Sequence, residues 1–470
     1  MERLLRIAVL VPAALLYGCG GDDETCDPIA QEGCDDGFVC EVVDGQEEPA
    51  CFEPLLVRGG VFDLSNGGAV ESARIVGLDP NSSPVSSVAI SDVDGQYELA
   101  IPTTRTADGT PIGYDITLRA DASGYQTFPG GVRQALPVDT TVAVRDGDDG
   151  PWVVESALTD IGLLALPADA GTAFIHGTVE VPEDRIGTLV VAEGSDGTGY
   201  SAVADRDGDY AIFNLPADDY LVKGYARYVN YDPVEVSLGD GGEDLDVDLS
   251  INDTAASTLT GSVQFANPGD GQETSIILVV ASTFDPVLQR GQTPPGLRAP
   301  DPGIAPNVIN SFSIEGVPQG DYYILAAFEN DFFVRDPDPC IAGTDLVAAE
   351  VGGAATVDME ESFKITGSLD LYGPGADGAE PVSGNPTFEW VDDSSEEAYD
   401  VLVVDSFGEV VWETRIDGVS GGDVSLAYDG PALEPGMYYQ WRVTSVRRVG
   451  EDPECKISTT EDLRGVFYLE

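Results

Sequence analysis

Two stretches decide the fold: YAIFNLPADDYLV (residues 210–222) and FSIEGVPQGDYYI (residues 312–324). Each runs aromatic, any residue, Ile, then Leu or Val before Pro, an Asp-Tyr pair, and a final Val or Ile. Every matching position is offset by 102 residues. Self-similarity at a fixed spacing marks duplicated modules. Upstream of the first stretch, ADRDGDYAI (204–212) parallels SDVDGQYEL (91–99), which adds a third, earlier copy. In that copy the connection after Pro102 has grown to PTTRTADGTPIGYD (102–115).

Working outward, the chain from about residue 55 shows short alternating runs bounded by Gly, Asp, Asn and Pro, with no sustained helical period. That is the pattern of packed antiparallel strands. In EDLDVDLSI (243–251), Asp244, Asp246 and Asp248 must share one face, and Leu245, Val247, Leu249 and Ile251 the other. The acid row reads as a solvated face that also discourages edge pairing.

These strands resemble the carboxypeptidase regulatory-like domain, a sandwich of transthyretin type. The residues that carry the likeness are the openings VRGGVFD (57–63), HGTVEV (176–181) and LTGSVQF (259–265), the D-x-D-G hairpins, and ASGYQTF (122–128) with Gly124 and Tyr125. The resemblance covers about residues 56 to 360. The last ninety residues differ: PTFEW (386–390), AYDVLVVD (398–405) and LEPGMYYQWRV (433–443) resemble a fibronectin type III-like sandwich. Leu433, Pro435 and Tyr439 match its corner, in which the tyrosine hydroxyl bonds back to the chain. The implied fold is all-β: tandem antiparallel Ig- or transthyretin-like β-sandwiches behind a small disulfide-rich segment. Expected boundaries are 1–18 for an export signal, 19–54 for the cysteine-rich segment, 55–168, 169–253 and 254–362 for three sandwiches, and 363–470 for a linker and the last one.

The amino-terminal run MERLLRIAVLVPAALLYGC has Arg3 and Arg6 ahead of an apolar stretch too short to span a bilayer. Leu16-Tyr17-Gly18-Cys19 resembles a bacterial lipobox. That resemblance implies cleavage before Cys19 and acylation of it, hence a membrane partner through a lipid anchor. Gly20 stands where an aspartate would signal inner-membrane retention, so the implied location is the outer membrane, at its periplasmic face or the cell surface. An ordinary secretory signal is the alternative.

The chain carries 84 acidic against 22 basic residues, for a net charge of −62. Such a surface repels phosphate backbones and excludes nucleic-acid binding. It also repels itself, which makes compactness depend on salt screening. With Cys19 lipidated, six of the seven cysteines remain, an even number in an oxidising compartment. Cys26, Cys34, Cys40 and Cys51 read as two disulfides of open connectivity, with a zinc site as the rival. Cys340 and Cys455, both in Asp-Pro loops, are the expected third pair, with two unpaired thiols as the alternative.

For chemistry the sequence offers little. The single histidine, His176, lies in an alternating strand, and no nucleophile elbow, zinc-protease or phosphate-loop motif occurs. Asp92 and Asp94, with Asp205, Asp207 and Asp209, space oxygens as a calcium loop begins. The same Asp-Gly steps equally make preferred hairpin turns. No other cofactor is expected. Trp390 and Trp441 fall at core positions of the corner motif, leaving Trp412 as the candidate exposed ring. The insert Thr293–Pro306, rich in proline, reads as flexible decoration. The function these features imply is a non-enzymatic envelope lipoprotein presenting β-sandwich modules for binding or scaffolding. Its partners would be an envelope protein or an extracellular polysaccharide. The alternatives are a polysaccharide-binding adhesin and an accessory subunit of a secreted hydrolase.

Overall fold

The computed structural model describes residues 26–470 apart from 29–30, 36, 80–81, 148–149, 168–169, 183–186, 240–243, 266–272, 302–303, 327–332, 336–345, 361, 394 and 449–453. Cys19 and Cys340 therefore lie outside the described residues. The chain divides into two compact units, Met1–Pro54 with Pro102–Ile112, and Leu55–Ile101 with Gly113–Glu470. Among the described residues the only helical elements are two short 3-10 turns, Thr140–Val142 and Ala281–Thr283. No helix among them is long and apolar enough to cross a membrane.

In the smaller unit, Val39–Glu41 pairs antiparallel with Ala50–Phe52, placing Cys40 opposite Cys51. Disulfides join Cys26 to Cys40 and Cys34 to Cys51. The enlarged connection of the first repeat forms its own hairpin, Thr104–Arg105 with Pro111–Ile112. It is stitched to the cysteine-rich segment where Arg105 N donates to the Val42 carbonyl at 2.8 Å and Asp44 N to the Arg105 carbonyl at 2.7 Å. An ion pair between Arg105 and Glu41 lies at the centre, the two residues 2% and 1% exposed. A segment this short and acidic has no room for an apolar core, so disulfides and one buried charge pair take that role.

The larger unit contains four sandwiches, and the first three share one topology. In each, an opening strand sits between an antiparallel neighbour from the repeat motif and a parallel neighbour near the module's end. Leu55–Asp63 lies between Gln96–Ile101 and Trp152–Glu155. Ala173–Thr178 lies between Asp209–Leu215 and Asp244–Asp246. Ser257–Phe265 lies between Ser311–Val317 and Thr356–Asp358. The expectation of purely antiparallel sheets thus needs amending in each of these modules, because its opening strand also pairs in parallel. A strand that returns to the edge of the opening strand after an even number of reversals must run parallel to it.

The repeat motif has a packing reason. Gly59 is register partner to Tyr97, Gly177 to Tyr210, and Gly261 to Phe312. A Cβ on Gly59 would lie 2.0 Å from the Thr159 carbonyl oxygen, and one on Gly177 2.2 Å from that of Val247. Into the room the glycines leave, the Tyr97 and Tyr210 hydroxyls donate to those same carbonyls, each at 2.6 Å. A glycine weakens a strand, and an aromatic ring laid across it restores the packing. The Pro-x-x-Asp-Tyr half of the motif is a second latch: Tyr220 donates to the Pro216 carbonyl at 2.9 Å and Tyr322 to that of Pro318 at 3.0 Å.

The fourth sandwich sets Leu371–Gly373, Thr387–Val391 and Asp423–Ala427 against a six-stranded sheet built on Ala398–Asp405 and Tyr438–Arg448. Trp390 and Trp441 are fully buried. Trp412 is half-buried and packs edge-on against Tyr428 at 5.0 Å, so it joins the core rather than standing free. Tyr439 accepts the Glu434 N–H at 2.8 Å, five residues back, which is the tyrosine corner.

The insert Thr293–Pro306 is not loose decoration along its described length. Leu297 is fully buried, and Arg298–Ala299 pairs with Ile276–Val280. Two apolar side chains anchored in the sandwich core outweigh the flexibility that proline and glycine suggest.

Candidate functional site

The sandwiches of the larger unit pack on one another through buried side chains, and the most structured chemistry lies at those seams. Between the first and second, Asn214 adopts φ +63°, a conformation asparagine tolerates better than most residues. From there its side chain accepts the Gly124 N–H at 2.6 Å and donates to the Tyr125 carbonyl at 2.9 Å. The Ser-Gly-Tyr turn singled out in the sequence is thus completed by the next module. Between the second and third, Leu189, Val191 and Tyr225 enter the third module's core, and Tyr225 meets Tyr322 edge-on at 6.0 Å. A cluster of Val132, Leu288 and Val404 joins the first, third and fourth. There Arg442 donates to the Leu288 carbonyl at 2.8 Å and Gln126 to that of Ser406.

The aspartates proposed for calcium occupy two separate hairpin turns. Asp92 accepts the N–H groups of Asp94 and Gln96, both at 2.9 Å, beside Gly95 at φ +77°. Asp205 accepts those of Asp207 and Asp209, at 2.9 and 3.0 Å, beside Gly208 at φ +92°. In both turns the leading carboxylate holds its own backbone, as hairpin chemistry dictates. Asp94, Asp207 and Asp209 are exposed on these tips.

The second hairpin also docks on the first sandwich. The other Asp205 oxygen accepts the Val88 N–H at 2.9 Å, and Ser87 donates to Asp207. Asp205 is only 4% exposed, and burial, reinforced by Asp207 and Asp209, pushes its carboxyl up to about 6. Its pKa is thus higher folded than unfolded, so its ionisation opposes the folded state. That penalty is absent below pH 4, grows as pH rises through 6, and amounts to about 3 kcal/mol at neutrality. The urea-unfolding free energy of the wild type should therefore fall between pH 4 and 6 more steeply than that of Asp205→Ala. Parallel curves would show that Asp205 ionises as freely folded as unfolded.

His176 is side-on to Asp246 at 3.8 Å and borders a shallow depression with Phe174, Tyr210 and Phe213. Thr178 is the one hydroxyl-bearing aliphatic side chain lining it, and its hydroxyl donates to Asp248 at 2.8 Å. Among the described residues the one cluster of metal-ligating type is Cys26, Cys34 and Cys40, whose sulfurs are in disulfides. Cys455 is fully buried and disulfide-bonded. Its expected partner, Cys340, lies outside the described residues, as does the proposed lipid site Cys19.

The feature with no local sequence signal is a cleft of about 470 Å³ between the first and fourth sandwiches. Phe62, Leu64 and Leu158 wall it on one side, Leu463 and Val466 on the other. Arg133 sits in its wall, 9% exposed. Its guanidinium lies over the rings of Phe128 at 4.7 Å and Tyr438 at 5.3 Å. Arg133 belongs to no recognisable motif and Tyr438 is an unspecified position of the 433–443 stretch, and they meet only because the last module returns to the first.

No family model and no curated protein matches the chain. Among solved structures, a streptococcal ancillary pilin is similar at 13% identity over 66% of this chain and 99% of that one, with a TM-score of 0.16. The minor pilin GBS52 of Streptococcus agalactiae is similar at 13% identity over 43% of this chain and 99% of that one, TM-score 0.19. The TIE protein of Bacillus anthracis is similar at 11% identity over 94% and 75%, TM-score 0.15. At TM-scores this low, these likenesses carry no argument about what the chain does.

Proposed function

We propose that this chain is a non-enzymatic cell-envelope lipoprotein, tethered through Cys19, whose sandwiches act as one stiff scaffold for holding partners outside the cytoplasm. The observation that carries the proposal is the sealing of the module seams by buried side chains, Tyr225 against Tyr322 above all. Modules meant to move independently would be joined by solvated linkers instead. The strand order of the first three modules agrees with a carboxypeptidase regulatory-like type, and the Tyr439 corner with a fibronectin type III-like one. Attachment to the outer membrane rests on the Leu-Tyr-Gly-Cys motif and Gly20. A polysaccharide grip through tryptophan is disfavoured, because Trp390 and Trp441 are buried.

The substitution Cys19→Ser should move the protein from the membrane to the soluble fraction; unchanged fractionation would overturn the tether. Calorimetry of the released protein should show the sandwiches melting in a single transition. Separate transitions for the four would overturn the stiff scaffold, and turnover of ester, peptide or glycoside substrates would overturn the non-enzymatic assignment.

A further inference from the structure

The cleft at the seam of the first and fourth sandwiches has the size of a small-molecule site. What distinguishes it from a packing gap is Arg133. Its Nη2 donates to the Gly162 carbonyl at 2.6 Å, while its buried Nη1 has no acceptor. Phe128, Tyr438 and Gly162, the three groups that touch this guanidinium, all line the cleft. Burial draws the guanidinium down to about 10, so it remains charged at neutral pH. Although the chain has 84 acidic residues, no carboxylate among the described residues pairs with it. Asp160 lines the same cleft but accepts the Gly60 N–H at 2.9 Å. A buried cation whose donor lacks an acceptor is costly to keep.

We propose that this cleft binds a monocarboxylic acid with an apolar body, its carboxylate accepting from Arg133 and its body lying along the Phe62, Leu64, Leu158 and Leu463 walls. The charge balance selects one negative charge. A single guanidinium answers a single carboxylate, while Asp160, Asp377 and the net charge of −62 disfavour dianions such as phosphate. The apolar walls select the body, because a small hydrophilic acid such as acetate would leave them unfilled. Aliphatic and aromatic bodies share this chemistry, and separate ligands can tell them apart.

The test is isothermal titration of the protein with decanoate, with 4-phenylbutyrate, and with the primary amide of each. At least one acid should bind saturably below about 1 mM, and at least tenfold more tightly than its own amide. Decanoate ahead of 4-phenylbutyrate would assign an aliphatic body, and the reverse an aromatic one. Arg133→Met, which keeps the stack between the two rings, should erase the difference between acid and amide. Should that variant fail to fold, Leu136→Glu decides: Leu136 is 61% exposed on the rim, and a negative charge there should weaken the acid at least threefold and spare the amide. Equal binding of acid and amide, no saturable binding, or an acid affinity indifferent to Leu136→Glu would each overturn the proposal. None of these readouts depends on membrane attachment or catalysis, so failure here leaves the scaffold proposal standing.

Discussion

Trp441→Ala is expected to cost the larger unit about 4 kcal/mol. The indole is fully buried, stacked on Phe388 at 4.7 Å and tilted against Trp390 at 5.9 Å. Its Nε1 donates to the Pro374 carbonyl at 2.8 Å, so the truncation leaves both a void and an orphaned acceptor. Trp412→Ala should cost much less, since Trp412 is half-buried at the margin of the same cluster. Urea unfolding followed by near-ultraviolet circular dichroism compares the two. A Trp441→Ala loss below about 1 kcal/mol would contradict the ring packing described.

The second large effect belongs to the smaller unit. Arg105→Ala should destabilise it by about 4 kcal/mol, because Glu41 is then left buried without its counter-charge. Burial already holds the Glu41 carboxyl above its ordinary range despite Arg105. The guanidinium also donates to the Glu53 carbonyl at 2.6 Å and to that of Gly109 at 3.2 Å, and lies over Phe52 at 5.0 Å. One substitution thus unhooks the 102–112 hairpin from the cysteine-rich segment. The double variant Glu41→Leu with Arg105→Leu should recover much of the loss, since it removes both charges and restores apolar volume. Limited proteolysis within 102–112 reads the result. Equal cleavage in the wild type and Arg105→Ala would show that the pair holds nothing together.

What could be read from the sequence was local and periodic. The 102-residue offset identified duplicated modules, and the glycines of the openings with the aromatics of the motif proved to be cross-strand partners. The Asp-Gly hairpins and the corner at Tyr439 were legible because their partners lie within five residues. The cysteine-rich segment was legible as disulfides, but its pairing was not, because four cysteines admit three connectivities. The recruitment of Pro102–Ile112 to that segment left no trace beyond an unexplained loop length. The insert Thr293–Pro306 misled, because its proline content masked the buried Leu297. The cleft at Arg133 was invisible for a stronger reason. Its two aromatic partners are Phe128 nearby and Tyr438 in another module, and no periodicity links such a pair.

That last contact bears on how the protein is made. Synthesis delivers the amino-terminal modules first, and domains generally fold as they emerge. The first sandwich cannot gain Tyr438 over Arg133, or Val404 beside Val132, until the final stretch of polypeptide has arrived. Until then its apolar flank at Val132 stays uncovered, so the seam of the first sandwich closes only once the last module is present.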